Sequence, residues 1–323
     1  MLTRLYGIAV TTFLETIRQP IYGVILLVTG LLMILNVTLA AYTLKDDNRL
    51  LLDAGLSTLL LAGLFLAAFS ASGVLNREIE NKTVMVVLAK PVSRPLFLLG
   101  KMLGLFAALT VAYYLMFLLF AMAQRHAVLQ NSADPWDFPV MVFGGGGTLL
   151  VLLAAAFCNY FYGWEFSSAA LAFAVPTLTG AMGLIAMFGK KFALVPFWTD
   201  MIGGQVVIAG ILVFLAILVL AALALAASTR VGQVMTLLIC VGALMLGLVA
   251  DYMVGELSQQ TLWADIIYRT VPNLGLFFVV DALISPEITI PIDYLFRVSL
   301  YAFLLICALL SVAVALFQTR EVG

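Results

Sequence analysis

Eight times along this chain the residues stay apolar for about 20 positions, and no other feature constrains the fold as strongly. A helix that crosses hydrocarbon needs about 20 such residues, and it must satisfy its backbone internally because lipid offers no hydrogen-bond partner. The runs fall at about 21–42, 54–75, 96–122, 141–162, 169–188, 203–227, 234–251 and 294–318. Composition agrees: 64% of the 323 residues are hydrophobic and 10% are charged, against about 25% charged in soluble domains. The fold class is therefore all-α, a polytopic transmembrane helical bundle of about eight spans. Residues 20–318 form the membrane domain, and 319–323 are left as a tail.

Residues 1–19 read differently. Leu2, Leu5, Ile8, Phe13 and Ile17 gather near one helical face, while Arg4, Thr12, Glu15 and Arg18 lie mostly elsewhere. That is the pattern of a helix lying in the membrane interface, with Pro20 marking the turn into the bilayer. It is not a convincing signal peptide, because the apolar run that follows exceeds an h-region of about 7–15 residues. An even number of spans puts both termini on one side. With that side cytoplasmic, nine of the Lys and Arg residues face inward and seven outward, a weak positive-inside bias carried by the cluster from 76 to 101. Lys190 and Lys191 run against it, and spans four and five could instead be partly re-entrant. Residues 252–293 carry too many charges to cross lipid and read as an extracytoplasmic interfacial segment.

Chemistry is sparse. A phosphate-cradling loop needs G-x-x-x-x-G-K-[ST]. Gly144–Gly147 with Thr148 lacks the lysine, and Gly189-Lys190-Lys191 lacks the spaced glycine and the hydroxyl. Ile202-Gly203-Gly204-Gln205 looks like the tail of an ATPase signature but opens an apolar span. Cys158, Cys240 and Cys307 sit in apolar runs without metal-ligand spacing, and no catalytic residue or metal site is expected. A net charge of −1 gives no footprint for nucleic acid. Ion-driven carriers keep ionisable groups inside spans. Here Lys101, read as snorkelling near one end of the third span, and Asp251, at the end of the seventh, are poor relays. His126, the sole histidine, reads as a solvated loop residue beside Arg125. Gly100 and Gly104 form a G-x-x-x-G that suits intrachain packing or a dimer seam equally.

The polar block at 76–95, NREIENKTVMVVLAKPVSRP, is the informative segment. Arg77, Glu78, Glu80 and Lys82 lead into Val84–Leu88, and Pro91 and Pro95 break the chain. A short amphipathic helix held between two spans can dock a soluble partner or rest on headgroups, and physical chemistry alone leaves both readings open.

The run from Arg77 to Lys101 resembles the coupling loop of type-2 ABC transporter permeases. The matching residues are Glu78, Glu80, Thr83, Pro91, Val92, Ser93, Arg94, Gly100 and Lys101. Lys82 stands where the family usually has glycine. Residues 2–18 resemble that family's elbow helix, and Val271–Leu283 with Phe317, Arg320 and Glu321 is similar to its C-terminal region. The resemblance implies an ATP-driven permease subunit of an exporter, in a bacterial inner membrane with both termini cytoplasmic. It implies two cytoplasmic ABC ATPase subunits that carry the ATP and Mg, so that this chain needs no cofactor and is not itself an enzyme. It also implies a second permease copy, identical or similar, and contact with membrane lipid. Arg77, Glu78, Glu80, Thr83, Pro91, Ser93 and Arg94 would touch the ATPase. The usual core has six spans, so the pair around 141–188 is an addition. That addition leaves open which inner turn, 163–168 or 228–233 with Thr229 and Arg230, makes the second contact. Two other classes remain: a carrier driven by an ion gradient, and a non-transporting component of an envelope, motility or metalloenzyme-maturation complex that uses the same ATPase coupling.

Overall fold

The computed structural model describes residues 2–41, 47–80, 93–129, 136–199, 201–258, 261, 272–284 and 289–318. Among these residues the chain is helical throughout, apart from turns and one isolated bridge between Phe188 and Leu194. The helices are α1 (Leu2–Ile17), α2 (Pro20–Ala40), α3 (Asp47–Glu80), α4 (Arg94–His126), α5 (Gly146–Tyr162), α6 (Phe166–Ile185), α7 (Gly204–Ser228), α8 (Gln233–Ser258), α9 (Val280–Ile284) and α10 (Ile292–Gln318). A π-helical turn, Val140–Gly145, leads into α5. Among the described residues eight helices are long and apolar enough to cross a membrane, which bears out the polytopic bundle. α3 continues past 75 to Glu80, because Asn-Arg-Glu-Ile-Glu contains no glycine or proline to stop it and Glu and Arg are good helix formers.

The chain divides into two compact units. The first comprises Met1–Thr16, Gly63–Leu109 and Ile208–Gly323. Here α7, apolar on every face, is enclosed on nearly every face. α1 is seated on the start of α4 by the two glycines of the G-x-x-x-G. A methyl group at Gly100 would meet Ile8 Cγ2 at 2.7 Å, and one at Gly104 would collide with the Ala9 carbonyl oxygen. The motif thus serves intrachain packing, one of its two readings.

The second unit comprises Ile17–Ala62 and Thr110–Val207. Its main feature is the antiparallel hairpin of α5 and α6. The hairpin turns at Gly163, whose φ of 67° is a left-handed conformation that favours glycine. The Gly163 N–H donates to Asn159 O at 3.1 Å and the Trp164 N–H to Cys158 O at 3.3 Å, which closes the end of α5. Asn36 of α2 donates to Thr58 Oγ1 of α3 at 2.9 Å, a polar contact among apolar spans.

Candidate functional site

The polar block enters from α3 and leaves into α4. Residues 81–92 lie outside the described residues, and with them Thr83 and Pro91; of 76–80 only the helical backbone is described, so the side chains of Arg77, Glu78 and Glu80 are not placed. What the structure places is the frame around the block. Leu75 on α3 and Phe97 and Leu98 on α4 pack into one buried cluster with Ala226 on α7 and Ala313 and Phe317 on α10. Phe97 and Phe317 stack with ring centroids 5.9 Å apart. Ile8 of α1 packs against the same cluster.

Ser93 precedes the first turn of α4, and its carbonyl accepts from the Phe97 N–H at 3.1 Å. Serine before a helix with proline in its first turn is a common start signal. Arg94 is the unexpected residue there, because a cation at a helix N-terminus opposes the dipole. Its guanidinium reaches another helix instead: Nη1 donates to the Gln318 carbonyl at 2.6 Å and to the Phe317 carbonyl at 3.5 Å. Those carbonyls end α10, where the last turn has no intrahelical donors for its carbonyls and the dipole favours positive charge. Arg94 thereby ties the exit of the block to the end of the last span.

One turn beyond Phe97, the Lys101 ammonium is 3.4 Å from Glu15 Oε2 of α1 and 5.7 Å from the Phe97 ring centroid. The lysine side chain is only 2% exposed. Rather than reaching for water along the membrane surface, it is held within the protein by α1. The sequence reading of a snorkelling lysine fails because α1 lies over that face of α4.

Thr229 and Arg230, just past α7, differ from each other. Thr229 is fully buried, with Oγ1 donating to Ala226 O at 2.7 Å; Arg230 is exposed. Since Ala226 belongs to the cluster that holds Leu75 and Phe97, the 228–233 turn and the polar block share one packed base. The other inner turn, at 163–168, carries Glu165, 3.5 Å from Arg18 Nε, with both side chains more than half exposed.

A second charged group was not read from the sequence at all. Arg125 and Asp137 fall between the third and fourth apolar runs, yet their side chains are 1% and 0% exposed and their Nε and Oδ2 atoms lie 3.1 Å apart. Arg125 also donates to Ile185 O at 3.0 Å, to Phe188 O and to Met201 Sδ at 3.3 Å. Asp137 Oδ1 accepts from the Val140 N–H at 3.1 Å. His126, read as solvated, is half-buried at the end of α4, and Lys190 donates to its carbonyl at 3.5 Å. The only available hint was that Arg125 and Asp137 border apolar runs.

Residues 8–159 match the family model described as ABC-2 family transporter protein. The match covers just under half of the chain and is consistent with an ABC-2 type permease. The matched stretch runs from α1 into α5 and includes the whole polar block. It stops short of the α5–α6 turn, so the ABC-2 match leaves that turn and everything after it to structural argument. No curated protein matched the chain in a sequence comparison.

Proposed function

We propose that this chain is the membrane-spanning half of an ATP-driven exporter in a bacterial inner membrane, with both termini cytoplasmic. It works as a dimer with a second permease copy. Two separate ATPase chains carry ATP and Mg, and they dock on the block formed by Arg77, Glu78, Glu80, Thr83, Pro91 and Ser93, whose exit Arg94 positions. The second contact is the turn with Thr229 and Arg230. The observation that carries this reading is the shared cluster: residues flanking the polar block pack directly against the ends of α7 and α10. Packed interiors shift between discrete arrangements and transmit displacement. A push on the block therefore reaches α3, α4, α7 and α10 together. Arg94 adds a directional tie to α10. Its part is positioning: it holds two helices together while neighbouring residues meet the ATPase.

The test is co-purification of the ATPase with the full-length permease. The double charge reversal Glu78→Lys, Glu80→Lys should weaken capture about tenfold or more, equivalent to about 1.4 kcal/mol, while leaving the permease monodisperse. An intact complex after deletion of 81–92 overturns the assignment. Arg94→Ala should leave capture unchanged and raise ATP turnover per cargo moved, with Arg94→Lys restoring part of the coupling.

A further inference from the structure

We infer that the tip of the α5–α6 hairpin is a lipid-headgroup anchor and not a second ATPase contact. The inference rests on the membrane-spanning reading and is independent of ATPase coupling. Five of the eight residues from 157 to 164 are aromatic: Phe157, Tyr160, Phe161, Tyr162 and Trp164. All five are exposed, from 52% for Phe157 to 83% for Tyr160. They lean on one another, with Phe157 and Phe161 centroids 4.5 Å apart and Tyr160 and Phe161 5.0 Å apart.

The exposed face of the hairpin changes character along its length. Leu149, Leu150 and Leu153 of α5 are each 58–62% exposed and purely aliphatic, as a surface facing hydrocarbon should be. Toward the turn, the exposed side chains become Tyr and Trp, whose rings are apolar and whose O–H and N–H groups seek polar partners. That order, aliphatic then amphipathic aromatic, is the order of the bilayer from acyl chain to headgroup. Length agrees. The helical run Val140–Tyr162 has 23 residues, which at helical rise is roughly 34 Å, enough to cross about 30 Å of hydrocarbon and bring the turn to its boundary. Beside the aromatic patch, Arg18 and Glu165 form an exposed ion pair, the kind of group that belongs among headgroups and water. A protein-docking turn would need a charged or shape-specific surface here; the tip offers rings of both faces and one pair already matched in charge.

The experiment uses Trp164 as the reporter. Full-length wild type and Trp164→Phe are reconstituted into phosphatidylcholine–phosphatidylglycerol vesicles whose acyl chains carry bromine either near the headgroup or near the chain end. Wild type should lose about twice as much of the Trp164 signal to shallow bromine as to deep bromine, and Trp164→Phe should lack that excess. Stronger deep quenching, which a re-entrant hairpin would produce, overturns the anchor. So does the absence of lipid quenching, whether the tip is covered by a second copy or stands in water. A Trp164 signal that becomes shielded only when the ATPase is added would also overturn it and return 163–168 as the docking turn.

Discussion

The two ends of α4 use the same residue type for the same purpose with opposite degrees of closure. Arg94, its first residue, and Arg125, one residue from its last, each donate to carbonyls at the C-terminal end of another helix: α10 for Arg94, α6 for Arg125. Arg125 is sealed from solvent, balanced by Asp137 and saturated with acceptors. Arg94 is only half-buried, and its strong bond to Gln318 is solvent-accessible. A sealed charge that loses its partner has nowhere to go, whereas an accessible one exchanges protein for water at little cost. The difference suits a helix held firmly at one end and adjustable at the other, where the polar block attaches.

The comparison can be broken most forcefully at Asp137. Asp137→Ala leaves a buried guanidinium without its counter-charge and frees the Val140 N–H, and it should destabilise the protein by about 3–5 kcal/mol. Thermal unfolding in detergent, followed by loss of the monodisperse peak, measures this. Replacing the pair with Arg125→Met and Asp137→Leu should recover only part of the loss, because the Ile185 and Phe188 carbonyls then lose their donor. Full recovery would show that those carbonyls contribute little.

At the other end the same assay should respond less. Arg94→Ala removes an accessible charge-assisted bond and should cost about 1 kcal/mol. A loss as large as that of Asp137→Ala would erase the contrast between the two ends. Smallest of all, Lys101→Met should change stability by no more than about 0.5 kcal/mol: the methionine keeps the packing on Phe97, and Glu15, about half exposed, is rehydrated. A large effect there would mean that α1 is held by charge more than by its seat on Gly100 and Gly104.

Much of this molecule is written in one dimension. The eight crossings follow from run length alone, because every span must satisfy its backbone locally and must be apolar for about 20 residues. The amphipathic α1, the turn at Pro20 and the polar block between two spans are equally local patterns. So is the ABC-2 resemblance, which the match across 8–159 bears out.

Partners distant in the chain were not legible. Lys101 sits near one end of an apolar run and Arg125 just beyond the other, and nothing in their neighbours says that each is buried in the folded chain. Glu15 lies 86 residues from Lys101, and Ile185 lies 60 residues from Arg125. Arg94 looked like a docking residue, but the carbonyls it meets belong to a helix that ends more than 220 residues later. Hydrophobic periodicity fixes which segments enter the membrane. It carries no record of which helix end comes to rest beside which charge, since that is settled only when side chains pack at interior density.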